Sequence, residues 1–227
     1  MELLQVESVS KVYGGGDTAV HALRNVSFSV PEGEFVAVIG ESGSGKSTLL
    51  NMIGGLDTPT AGKVRIGGND VFSMKENALT LFRRRNIGFI FQSFNLIPEL
   101  NVEQNIQFPV LLDGRKPDDA YLEELLSVLK LTERRKHLSG QLSGGQQQRA
   151  AIGRALFTRP KLILADEPTG NLDSTNTAEV IALLKEASRK YRQTILMITH
   201  SAAVAESADR VLRVADGVLT DLGGQER

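Results

Sequence analysis

Residues 34–53, EFVAVIGESGSGKSTLLNMI, restrict what this chain can fold into more than any other stretch. Residues 35–39 are an unbroken apolar run closed by Gly40, the pattern of a strand buried on both faces of a sheet. KSTLLNMI reads as a helix, stopped by Gly54, Gly55 and, further on, Pro59. Between them GESGSGKST, residues 40–48, fits G-x-x-x-x-G-K-[ST], a turn whose glycines let the backbone wrap an anion with its N–H groups pointing inward. A buried strand feeding a helix through so tight a turn belongs to an α/β protein with a mostly parallel sheet.

The rest of the sequence arranges itself around that unit. LLQVESVSKVY and VSFSV alternate apolar and polar residues as half-buried antiparallel strands do, with GGGDT as a turn between them. GKVRIGGNDV reads as a further strand and turn, and IGFIFQ as another buried strand. From about Ser93 to Phe157 strand-like runs vanish. There DDAYLEELLSVLKL sets Leu122, Leu125, Leu126 and Leu129 on one helical face, with LDGRKP as a loop before it. KLILADEP, NTAEVIALLKEASRKY and QTILMITH restore strand, helix and strand; SAAVAESA reads as a short helix and RVLRVADGVLTDL as a hairpin turning at Asp216 and Gly217. The expectation is a single domain over residues 1–227. Its core, about 1–92 and 158–227, carries an N-terminal antiparallel β subdomain and is interrupted by a helical subdomain at about 93–157.

Composition narrows the partners. The 227 residues are 41% hydrophobic, enough for a sizeable core. A net charge of −1 builds in no bulk attraction to nucleic acid or to an anionic membrane, so no nucleic-acid partner is expected. Cysteine is absent, which excludes disulfides and thiolate metal sites and suits a reducing cytoplasm. MELLQVESVS lacks a basic region followed by an apolar block, so no signal peptide is expected. The apolar runs fall far short of the roughly 20 residues that span a bilayer. FRRRN, with Arg83, Arg84 and Arg85, reads as a solvated face.

Three stretches bear on chemistry with phosphates. In the glycine turn Lys46 adds a point charge at the β- and γ-phosphates and the Ser47 hydroxyl is placed to ligate Mg²⁺. In LILADEP, Asp166 emerges at a strand end to reach the same metal, and Glu167, one step further out, is placed to polarise a water attacking the γ-phosphate. The third stretch, QLSGGQQQRAAIGRAL, carries Ser143, Gly144 and Gly145 into a helix N-terminus and has the look of another anion-holding turn, but without a lysine. Ser143 also suits a helix N-cap.

Together these motifs resemble the nucleotide-binding subunits of ATP-binding cassette transporters over essentially the whole chain, with the core of a P-loop NTPase. LSGGQ (Leu142, Ser143, Gly144, Gly145 and Gln146) is that family's signature sequence. The resemblance implies that ATP is bound by Gly40, Glu41, Ser42, Gly43, Ser44, Gly45, Lys46, Ser47 and Thr48, with Tyr13 stacked on adenine and Val20 beside it. It implies Mg²⁺ at Ser47, Gln92 and Asp166, with Gln92 also linking to a membrane partner. Asn171, Leu172 and Asp173 look like the family's D-loop, and His200 like its switch histidine at the γ-phosphate. Two copies would pair head to tail, so that Lys46 of one chain faces Ser143 and Gly145 of the other across a shared nucleotide. Glu167 would then be the general base of an ATPase, assisted by His200 and Lys46.

A membrane-spanning permease is the implied partner, docked on the helical insertion near FNLIPELNVEQNI, which would hold the chain at the inner face of the cell membrane. RRRNIGFIFQSFNLIPELNVEQNI and ADEPTGNLDS resemble the macrolide-exporter, lipoprotein-release and cell-division branch, whereas amino-acid importers more commonly carry SALDP at the D-loop. An importer ATPase, a non-transport cassette ATPase and a nucleotide-binding regulator remain as alternatives, and the substrate is open.

Overall fold

The structure, a computed structural model, describes residues 1–224. β1 (Glu2–Tyr13), β2 (Val20–Pro31), β4 (Ala61–Ile66) and the two-residue β5 (Asn69–Asp70) form an antiparallel sheet in the order β2-β1-β4-β5. β3 (Phe35–Ile39), β6 (Ile87–Phe91), β7 (Leu162–Asp166), β8 (Thr194–Ile198), β9 (Arg210–Ala215) and β10 (Val218–Gly224) form the second, in the order β10-β9-β3-β8-β7-β6. Its neighbours run parallel except for the β9–β10 hairpin, which turns at Asp216 (φ 49) and Gly217 (φ 77). This is the α/β architecture expected.

The central strands are apolar without a break because both their faces are covered. Phe35 and Ala37 belong to one core and Val36 and Val38 to the other; Ile163 and Ala165 part from Leu162 and Leu164 in the same way, as do Ile195 and Met197 from Leu196 and Ile198. The first core lies beneath α3 (Val102–Leu112), α4 (Asp119–Val128), α5 (Gly144–Phe157) and α6 (Ser174–Tyr191). The second encloses α1 (Lys46–Ile53) and the inner face of the antiparallel sheet. Burying a Val, Leu or Ile side chain contributes about 1.5–3 kcal/mol, so a strand slipped by one residue would exchange two sets of tightly packed neighbours.

Between Phe91 and Leu162 the described chain is helices and turns, with one isolated bridge from Asn101 to Leu138. Leu122, Leu125, Leu126 and Leu129 are all buried, as their spacing requires. Asp118 caps α4 by accepting from the Tyr121 N–H, and Asn101 and Gln104 close a reciprocal capping box on α3.

α2 (Glu76–Asn86) is a helix that the strand-and-turn reading did not include. It buries no residue fully, and only Leu79 and Phe82 pack on the core, so its apolar periodicity is faint. Nor are its arginines a plain solvated face. Arg84 donates to the Leu112 carbonyl at 3.0 Å, and the Asp113 side chain, 1% exposed, accepts from Arg85 Nε at 2.9 Å and Arg115 Nε at 2.8 Å. The arginines therefore bind α2 to the end of α3, joining the core to the helical insertion.

The hydrogen bond from Arg85, reinforced by Arg115 and Arg84 against the opposing effect of burial, holds the Asp113 carboxyl below the ordinary aspartate value of 3.8. A depressed carboxylate stabilises the fold above its unfolded pKa, and that contribution is lost as pH falls through the folded one. Asp113→Asn is expected to lower the thermal midpoint at pH 7. The gap from wild type should narrow below pH 3.8. Circular-dichroism melts at pH 7 and in acid check both.

Candidate functional site

Because β3, β6, β7 and β8 run parallel, their C-terminal ends share one edge, where α/β sheets place ligands. Ser42, Gly43, Gly45, Lys46, Ser47 and Thr48 line a cleft of about 360 Å³ there. Gln92 just past β6, Glu167 just past β7 and His200 just past β8 complete its wall. The structure thus brings together candidates that stand up to 158 residues apart in the chain, from Ser42 to His200.

The glycine turn is shaped by close approaches. Gly45 sits at φ 109, and a Cβ added to it would overlap the Ala22 carbonyl oxygen; one added to Gly40 would overlap the carbonyl oxygen of Val214. The Ser44 carbonyl accepts from the Gly217 N–H at 3.0 Å, and the Gly217 carbonyl from the Arg24 N–H at 2.8 Å. Lys46 is the first residue of α1, and its Nζ donates to the carbonyls of Gly40 at 2.8 Å and Glu41 at 2.6 Å. Its charge and the helix N-terminus are held together at the mouth of the loop, an arrangement built for an anion.

Asp166 closes β7 with its carboxyl under the influence of Ser47 and Lys46. Burial pushes its carboxyl above the ordinary range, and the negative charge of Glu167 adds to the rise. A cation would relieve both costs. A hydroxyl and one carboxylate fit Mg²⁺, whose remaining ligands are ordinarily phosphate oxygens and water.

Glu167 has a left-handed backbone, φ 48, uncommon for a residue with a side chain. It is secured at both ends, its N–H donating to the Ile198 carbonyl and its carbonyl accepting from the Gly170 N–H, each at 3.0 Å. The carboxylate Oε2 lies 2.9 Å from His200 Nδ1. Gln92 and Asn171 pair reciprocally: Gln92 Nε2 donates to Asn171 Oδ1 at 3.1 Å, and Asn171 Nδ2 to the Gln92 carbonyl at 3.0 Å. Asp173 caps α6 through the Asn176 N–H.

Tyr13 and Val20 are partners across the β1–β2 ladder, and both are exposed. The Tyr13 hydroxyl donates to Asp57 Oδ2 at 2.8 Å, and Lys11 both pairs with Asp57 and stands 4.7 Å from the Tyr13 ring centre. Lys11 and Asp57 were absent from the sequence reading, since no motif marks them; only the ladder and the turn after α1 bring them to the ring.

Leu142, Ser143, Gly144, Gly145 and Gln146 line no part of the cleft. Ser143 is the N-cap of α5: its Oγ accepts from the Gln146 N–H at 3.3 Å, while Gln146 Oε1 accepts from the Ser143 N–H at 3.0 Å. Gly145 is required by its own chain, because an added Cβ would overlap the Asn176 side chain. Gly144 is not. A Cβ there would meet Leu172 and Phe94 at 3.6 and 3.8 Å, ordinary contact distances. The N-terminus of α5, capped by Ser143, accordingly lies outside its own chain's cleft.

A family model described as ABC transporter matches residues 23–170. The lipoprotein-releasing system ATP-binding protein LolD of Geobacter metallireducens is 46% identical over 217 residues, covering 95% of this chain and 96% of that protein. The macrolide export ATP-binding/permease protein MacB of Marinobacter nauticus is 45% identical over 99% of this chain, which spans only 35% of MacB. Among solved structures, a dimeric ATP-binding cassette in a post-hydrolysis state, bound to ADP and Pi, is similar with a TM-score of 0.87 and 40% identity, over 97% of this chain and 99% of that one.

The Gly145–Asn176 contact can be tested alone. Asn176 is tethered to Asp173 by a 2.7 Å bond, so it cannot yield freely. Gly145→Ala is expected to destabilise the protein by about 1–2 kcal/mol in spite of alanine's better helix propensity. In an Asn176→Ala background the same change should be neutral or stabilising. A denaturant double-mutant cycle measures the coupling, and additive effects would contradict it.

Proposed function

This chain belongs to the ABC transporter family, as an ATP-binding cassette of the LolD and MacB type, and from that premise we propose that two copies close head to tail around two ATP molecules, hydrolyse them and drive a membrane-spanning permease. One observation carries the proposal. The two phosphate-holding turns of a single chain do not share a cleft, and Gly144 is bare for no reason within its own chain. A twofold dimer puts Ser143 and Gly145 of one copy opposite Lys46 of the other and makes two equivalent sites.

In each site the turn amides and Lys46 hold the phosphates, and Tyr13 with Val20 flanks the adenine. Ser47 and Asp166, with Gln92 nearby, would hold Mg²⁺, which when bound offsets phosphate charge. Glu167 takes a proton from the attacking water as its oxygen bonds the γ-phosphorus and the bond to the β-phosphate oxygen breaks, releasing ADP and phosphate. The short contact with His200 Nδ1 keeps the Glu167 carboxylate aimed. ATP favours the closed pair because its γ-phosphate satisfies donors from both chains, and hydrolysis removes that differential affinity.

A permease segment would dock beside α2. Next to Gln92, a groove of about 340 Å³ runs between α2, β6 and the helical insertion, floored by Phe89, Phe91 and Pro109 and edged by Arg84 and Arg154. It suits an apolar helix end bearing an acidic group. Among the described residues no helix is long and apolar enough to cross a membrane, so attachment at its inner face would come through the permease. RRRNIGFIFQSFNLIPELNVEQNI and GNLDS, with relatives named for lipoprotein release and macrolide export, favour that branch over an amino-acid importer.

Glu167→Gln should keep ATP affinity, slow turnover roughly 10²–10⁴-fold and yield a dimer in ATP on size-exclusion chromatography. Ser143→Arg in the same background should remain monomeric. Wild-type turnover in Glu167→Gln would remove this residue from the mechanism, and an ATP-saturated monomer would remove the head-to-tail closure.

A further inference from the structure

The turn after β7 carries Glu167, and a buried side chain from the signature helix reaches it. Gln148 is completely buried on α5, three and four residues beyond Gly145 and Gly144 and hence on their face of the helix. Its Nε2 donates to the Pro168 carbonyl at 2.7 Å, one residue past Glu167. Its Oε1 has no hydrogen-bond partner among the described residues. Burying a carboxamide with only its donor satisfied is costly, and an apolar side chain of equal volume would pack there without that cost. The cost is offset by what the donor holds.

Other grips on the same turn come from the ends of neighbouring strands: His200 on Glu167, and Gln92 on Asn171. Gln148 comes instead from the helix whose first turn bears Ser143 and Gly144. A second link runs beside it, since Gly145 packs against Asn176, which is bonded to Asp173 at the far end of the turn. α5 thus touches its own chain's catalytic turn at both ends.

We propose that Gln148 is a positioning residue that couples this chain's grip on its partner's ATP to the placement of its own Glu167. The inference rests on the head-to-tail reading above. A helix moves as a rod, so closure of its N-terminus on a phosphate shifts Gln148, and the short bond passes the shift to the Pro168 carbonyl. That backbone adjoins Glu167, whose left-handed φ of 48 is an uncommon conformation held only by its surroundings, so displacement of a neighbour bears on it directly. Each chain then engages one nucleotide with its signature and sets the base for the other, which makes the two hydrolysis events interdependent.

Two variants test this. Gln148→Met fills the volume without a donor. Gln148→Glu buries a carboxyl that stays protonated and donates through its O–H, more completely as pH falls. Gln148→Met should bind ATP with unchanged Kd and, combined with Glu167→Gln, still form the ATP-trapped dimer. Its kcat should fall about tenfold, the scale of one buried hydrogen bond, at unchanged KM, and its Hill coefficient for ATP should drop toward one. Gln148→Glu, measured relative to wild type at each pH, should recover between pH 8 and pH 6. Unchanged kcat and Hill coefficient in Gln148→Met would overturn the inference, as would an equal loss of ATP affinity and thermal stability, which would mark a merely structural residue. Failure of Glu167→Gln by itself to trap a dimer would take down the head-to-tail reading together with this one, whereas a trapped dimer with unaltered Gln148→Met kinetics sinks this one alone.

Discussion

The Ala22 and Val214 carbonyl oxygens press on the glycine turn from two sides, and much of the site depends on that wedge. One belongs to the antiparallel sheet and the other to the strand leading into the terminal hairpin. Only residues without a Cβ fit against them at Gly40 and Gly45, and the loop between is closed on itself by Lys46 Nζ on the Gly40 and Glu41 carbonyls. The hairpin adds its own bond through Gly217 to Ser44. A backbone clamped in this way is preorganised, which is where sites for anions gain most of their electrostatic advantage. The antiparallel sheet therefore braces the phosphate loop as well as covering one face of the core.

Opposite that rigid loop stands a turn of another character. Residues 167–173 are held by side chains from several elements, at Glu167, Pro168 and Asn171, and the turn begins with a strained residue. The acids at its start repel one another, and burial raises the cost for Asp166 further. Rigidity on the binding side and stored strain on the hydrolytic side suit a device that must hold its nucleotide first and act on it only after a second event.

Much of this was legible along the chain. Unbroken apolar runs at residues 35–39, 162–165 and 195–198 announce two covered faces, because a single covered face would leave alternate positions polar. Placing Gly40, Lys46, Asp166, Glu167 and His200 just beyond such runs required only that parallel strands end on one edge. What escaped was carried by single side chains with no pattern of their own. α2 was missed because helix formation there depends on three arginines finding Asp113 and the carbonyls of Gly55 and Leu112, groups 28 residues away in either direction.

Sequence alone determined the strand–turn–helix unit and the alternation of strands and helices around it, and it nominated the candidate phosphate-handling residues, since period, glycine placement and spacing are local properties. Only the tertiary structure decided that Ser143 and Gly144 lie outside the cleft that Lys46 lines, that Gly145 is bare for Asn176 while Gly144 is not, and that Gln148 reaches Pro168. Those facts depend on close approach between segments distant in the chain, and close approach is a product of packing that no local pattern encodes.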